Sequence, residues 1–128
     1  MAPSSHELAL RYLLELSSDI RLALLWDAGG ELLASAPPEG PATLAELAIE
    51  LVREAEASFP RGEAPQLELD ASGDDGVVFL IRNAEMTMLC VTARAVLPGL
   101  IFYDMHAVLR DLERAAQAEG RRRGAVAQ

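Results

Sequence analysis

A chain of 128 residues with 51% hydrophobic residues is long enough to build one core and too apolar for disorder. Its net charge of −9, with arginine as its only strongly basic residue type, leaves no broad basic face and argues against nucleic-acid binding. The longest apolar run, Val77 to Ile81, is strand-sized, far short of the roughly 20 residues a membrane-spanning helix needs, so no membrane insertion is expected. The first residues carry no basic leader and interrupt their apolar positions with Glu7, Arg11 and Glu15, so no signal peptide is read. The single cysteine, Cys90, excludes an internal disulfide and fits a reducing cytoplasm.

Ser4 with Glu7 three residues on has capping-box spacing. It opens a predicted helix in which Leu8, Leu10, Tyr12, Leu13, Leu14 and Leu16 form an apolar side opposed to Glu7, Arg11 and Glu15. Ile20 to Trp26 reads as a strand, Asp27 to Gly30 as a turn needing positive φ, and Glu31 to Ala36 as the returning strand. Pro37 to Pro41 is a loop. Thr43 and Glu46 repeat the capping-box spacing. The helix from there to Phe59 carries Leu44, Leu47, Ala48, Leu51, Val52, Ala55 and Phe59 on one stripe. Pro60-Arg61-Gly62 stops it.

Gln66 to Ala71 alternates strictly, as a half-exposed strand does. A turn with Asp74 and Asp75 follows, then Val77 to Arg82, apolar on both faces. Asn83 to Glu85 is a hairpin loop, and Met86 to Ala95 reads as the longest strand. Leu100 to about Glu119 is a closing helix with Ile101, Met105, Val108, Leu109, Leu112 and Ala116 inward, followed by an arginine-bearing tail at Arg121 to Arg123. The order is α-β-β-α-β-β-β-α. Hairpin-length links make three strand pairs antiparallel, and strands apolar on both faces need helices on both sides. The expected fold is therefore an α+β domain: a five-stranded antiparallel sheet in a three-layer α/β/α sandwich. Residues 1–128 read as one domain, its core about residues 5–117 and a flexible tail after it.

The residues with reactive or metal-ligating side chains have plainer readings. His6 and His106 have no second ligand at helical spacing, so both read as surface or boundary histidines. Cys90 lies inside a two-faced strand and reads as a buried structural thiol. Asp74 and Asp75 lack the spaced carboxylates of a calcium loop. Gly29-Gly30 joins two strands, and no helix N-terminus follows to receive a phosphate. No catalytic, cofactor-binding or metal-binding set is expected, and no enzymatic activity.

The middle helix says more. Ala45 and Ile49 extend its stripe beyond Val52, leaving an apolar flank about 60° wider than one sheet requires. Either the core wraps further there, or the helix packs on a copy of itself; the sequence leaves both open. Its outer face carries Glu46, Glu50, Arg53 and Glu54.

IRLALLWDAGGELLAS, the helix from Thr43 to Phe59, and MTMLCVTARAVLPGLIFYDMHAVLRDL together resemble the Roadblock (dynein light chain) family, bacterial type, over about residues 5–117. The leading helix separates this pattern from the sister longin fold. The resemblance implies a homo- or heterodimer in which central helices pack antiparallel and third strands pair edge to edge. It also implies a partner: bacterial members bind small Ras-like GTPases and regulate them without catalytic residues, and others are scaffolds. The dimer interface would then use Ala45, Ile49, Val52, Glu56, Leu67 and Leu69, and the partner surface Glu46, Glu50, Arg53 and Glu54. The acidic middle helix departs from the family enough that no single GTPase-contacting residue carries over. A small-molecule sensor of the PAS, GAF or profilin-like type is the competing class; Arg82, Thr87, Thr92 and Arg94 are its candidate ligand groups.

Overall fold

The computed structural model describes residues 4–37, 42–73, 76–93 and 96–126, with side chains outside the description at 42–47 and 120–126. The elements are α1 (Ser5–Leu16), β1 (Ile20–Asp27), β2 (Leu32–Ala36), α2 (Ala42–Ser58), β3 (Leu67–Gly73), β4 (Gly76–Arg82), β5 (Met86–Thr92) and α3 (Pro98–Val126). The five strands form one sheet in the order β2-β1-β5-β4-β3, and every neighbouring pair is antiparallel. The expected order and layers are those found.

Turn chemistry sets the hairpins. Between β1 and β2, Gly30 takes φ +87° and donates its N–H to the Asp27 carbonyl, while the Asp27 carboxylate accepts from Glu31 N–H at 2.9 Å. Between β4 and β5, the Asn83 side chain accepts from the N–H groups of Glu85 and Met86. Gly76 stands at φ +152° opposite Gly73, and a Cβ there would come to 1.9 Å from the Thr92 carbonyl oxygen, so the position admits glycine alone.

Period-two alternation sends each strand's residues to two cores. Ala23, Leu25, Phe79, Ile81, Met88 and Cys90 face α1 and α3, joined by Leu10, Leu13, Ile101, Met105, Val108, Leu109 and Leu112. Leu22, Leu24, Trp26, Leu80 and Leu89 face α2, beneath Ala48 and Ala55. Phe79 meets Phe102 edge to face, ring centroids 5.3 Å apart. Each fully buried large side chain contributes about 1.5–3 kcal/mol.

The structure departs from expectation in several places. β5 ends at Thr92, because both strands beside it run out there: Ile20 of β1 and Val77 of β4 are its last partners. The expected extension through Arg94 and Ala95 lies outside the described residues. α3 begins at Pro98, since proline is tolerated in a first turn whose N–H groups are unpaired anyway. At its other end α3 continues through Gly120 and the arginine run to Val126, where sequence suggested a tail; one glycine costs a helix only about 1 kcal/mol. Another difference is on α1. Leu10 and Leu13 are buried, but Leu8, Tyr12 and Leu16 are exposed, so the supposed single apolar side is two rows on opposite faces. Likewise Ala116, expected inward on α3, is exposed.

Cys90 is fully buried, and desolvation raises its thiol pKa above the ordinary value. Native protein is therefore expected to resist a thiol reagent, labelling on the order of a thousandfold or more slower than unfolded chain, because reaction waits on opening of the sheet. Rapid labelling of folded protein at neutral pH would overturn this. The folded thiol pKa lies above the unfolded one, so Cys90 supports the fold below about pH 8.5 and withdraws that support as pH rises further.

Candidate functional site

The sheet order leaves β3 as an edge strand whose outer N–H and C=O groups have no strand beside them among the described residues. Leu67 and Leu69 turn their side chains to the α2 face, where each is half-buried against that core. α2 crosses the same face, so the free edge and the helix lie together. Ile49 is 40% exposed on α2, and Val52 is half-buried beside it. A groove of 290 Å³ separates α2 from β3, lined by Leu51, Ala55, Phe59 and Leu69. On the other flank a groove of 540 Å³ lies between α2 and the β1–β2 turn, bordered by Trp26, Leu32, Ile49, Val52 and Arg53.

Of the residues expected at the dimer surface, Leu67 and Leu69 lie on the edge strand, and Ile49 and Val52 line the groove on the other flank of α2; all four are on the α2 side of the sheet. The side chains of Ala45 and Glu46, like the Thr43–Glu46 capping pair, lie outside the described residues. Glu50, Arg53 and Glu54 are exposed, as expected of an outer face. Glu56 is engaged within its own chain: its carboxylate oxygens stand 3.6 Å from Arg61 Nη1 and 3.5 Å from Arg82 Nη1.

That cluster was not legible beforehand. Arg82 is 2% exposed at the end of β4, and its Nη2 donates to the carbonyls of Phe59 and Ala64. Its Nε and Nη1 have no hydrogen-bond acceptor, which leaves the Glu56 carboxylate as the counter-charge. Arg61 donates from Nε to the Asn83 carbonyl, from Nη1 to the Ala28 carbonyl and from Nη2 to Thr87 Oγ1. Burial lowers the Arg61 pKa, and the facing Glu56 carboxylate opposes that shift. The two guanidinium groups therefore tie the end of α2, the segment after it and both hairpin turns into one unit. The only sequence signal was a cation closing an otherwise apolar strand, VVFLIR.

Of the groups a sensor would need, Arg82 and Thr87 are register partners on β4 and β5 and both belong to the Glu56–Arg61 cluster, while Thr92, at the other end of β5, bonds the Val77 carbonyl through Oγ1. Arg94 lies outside the described residues. His106, half-exposed on α3, pairs with Glu68 of β3 at 3.0 Å, and no group of three His, Cys, Asp or Glu side chains gathers among the described residues. Among those residues, too, no helix is long and apolar enough to cross a membrane.

A five-stranded antiparallel sheet with helices on both faces makes this an α+β domain, and the chain has the Roadblock/LC7 fold. It superposes on the Roadblock/LC7 domain from Streptomyces avermitilis with TM-score 0.67 at 13% identity, over 85% of this chain and 99% of that one. It is also similar to the gliding protein MglB from Thermus thermophilus (TM-score 0.65, 23% identity, 92% and 95% covered) and to Myxococcus xanthus MglB (TM-score 0.64, 14% identity, 90% and 99% covered). No protein-family model matches the sequence, and no curated protein matches it significantly.

Proposed function

We propose that this chain is a non-catalytic, cytoplasmic homodimeric module that binds a small Ras-like GTPase and regulates it. The observation that carries the reading is the coincidence, on one face of a fold shared with MglB, of an open β3 edge and the half-exposed apolar flank of α2. Two β3 edges pairing would extend the sheet across both copies and satisfy main-chain groups that otherwise invite aggregation. The two α2 helices would then lie side by side as a flat platform, rimmed twice over by Glu46, Glu50, Arg53 and Glu54.

A rigid platform selects one conformation of a partner's switch segments and shifts the population towards it. The acidic rim favours a partner with a basic face and makes association salt-sensitive. The Gly29-Gly30 turn joins β1 to β2 and opens no helix, so nothing there cradles a phosphate. Any acceleration of hydrolysis would work by ordering the partner's own residues. Arg53, exposed beside the hairpin groove, is the arginine placed to reach a bound partner.

Titrating the purified protein against the source organism's small GTPases, loaded with GDP or a GTP analogue, tests this. Preferential binding of one state, by about tenfold or more, equivalent to 1.4 kcal/mol, is expected. Equal binding of both states would leave a scaffold; no binding would remove the GTPase as partner.

A further inference from the structure

Nine large apolar side chains are exposed among the described residues, and five of them, Leu8, Tyr12, Leu16, Leu97 and Leu100, lie on α1 and around the start of α3. This is the side of the sheet opposite α2, so the proposed dimer and GTPase surface does not use them. Leu97 and Leu100 are 69% and 63% exposed. Leu8, Tyr12 and Leu16 follow i, i+4 spacing and form one row, directed away from the core that Leu10 and Leu13 enter. The row ends where Leu16 meets Leu97 and Leu100 around a cleft of 460 Å³ between the end of α1 and the start of α3. Apolar patches of this extent mark interaction sites.

Charge decides what the cleft takes. Asp104 lines it, and Glu15 is exposed on α1 next to Leu16. Arg11, on the same helix, is drawn towards Glu7 at 4.0 Å. A second copy docking face to face would set these carboxylates against their own counterparts. An anionic membrane surface would meet the same repulsion, from a chain of net charge −9. A cleft between two helices, with apolar walls and an acidic rim, instead fits a third helix carrying apolar residues at i, i+3, i+4 and i+7 and basic residues beside them.

We propose that the α1–α3 cleft docks a basic amphipathic helix of another protein, leaving the α2 face free. The module would then join two partners on opposite sides of its sheet, whatever the α2 face binds.

The test replaces Leu97, which lines the cleft and is exposed, with the photo-crosslinker p-benzoylphenylalanine in the full-length chain, irradiates cells making it, and maps the adducts by mass spectrometry. The expected adduct joins position 97 to a segment of a different protein with net positive charge and helical apolar spacing. Leu100→Glu should cut its yield at least about tenfold, the equivalent of 1.4 kcal/mol. Asp104→Lys should cut it too, by reversing the rim charge. Both variants should keep the parent's circular dichroism and its oligomeric state in light scattering, since Leu100 is exposed and Asp104 half-exposed. Adducts only to a second copy of this chain, only to lipid, or to an acidic segment would overturn the proposal. So would the absence of adducts, or a yield that Leu100→Glu leaves unchanged.

Discussion

Ile49→Glu is expected to convert a dimer into a monomer while leaving the fold intact. Ile49 is 40% exposed in the single chain, so a glutamate there stays hydrated in the monomer and disturbs little of the core. In a dimer built on α2 the same position enters an apolar contact, and an unpaired carboxylate buried there costs several kcal/mol. Two copies meet, so the cost is incurred twice per dimer. The dissociation constant should rise by at least about a hundredfold, read by light scattering across a micromolar concentration series. A variant that stays dimeric at low micromolar concentration would place the interface elsewhere. A parent chain that is a monodisperse monomer at high micromolar concentration would remove the dimer.

Arg82→Ala is expected to be the most destabilising change outside the apolar core. The substitution orphans the carbonyls of Phe59 and Ala64 and strips Glu56 of its buried partner. Breaking a buried charge pair costs about 3–5 kcal/mol, and the lower end applies here because the Glu56 side chain is 37% exposed. For a domain of this size that lowers Tm by roughly 10 °C. Glu56→Gln should cost less, about 1 kcal/mol, since the amide still places an acceptor near both guanidinium groups and water reaches that side. Thermal unfolding ranks the two. Equal losses, or an Arg82→Ala variant as stable as the parent, would mean that the cluster does not hold the end of α2. Because Arg61 and Arg82 together anchor that end, Arg82→Ala should also weaken dimerisation, through a looser platform and without touching the contact surface.

These two residues show how differently the site could be read in advance. Ile49 was visible as an apolar residue beyond the stripe its own sheet needs, because helical periodicity is a local property of the chain. Glu56, Arg61, Thr87 and Arg82 come together from four separate segments. Nothing local announces which carboxylate will face a buried guanidinium. The fold itself was legible because its strands alternate, its turns carry glycine or asparagine where backbone geometry wants them, and its helices carry apolar residues at helical spacing.

What the sequence determined by itself is the element order, the antiparallel pairing, the two cores and the burial of Cys90. All four follow from periodicity and turn chemistry, which neighbouring residues decide among themselves. The tertiary structure alone decided that Leu8, Tyr12 and Leu16 stay outside, because α1 can lay only one face on the sheet and Leu10 with Leu13 claims it. It likewise decided that β5 stops at Thr92, where its neighbours run out. It also placed β3 at the sheet's edge beside α2, which the family resemblance implied but residue spacing could not, since strand order is a matter of which segments meet across space.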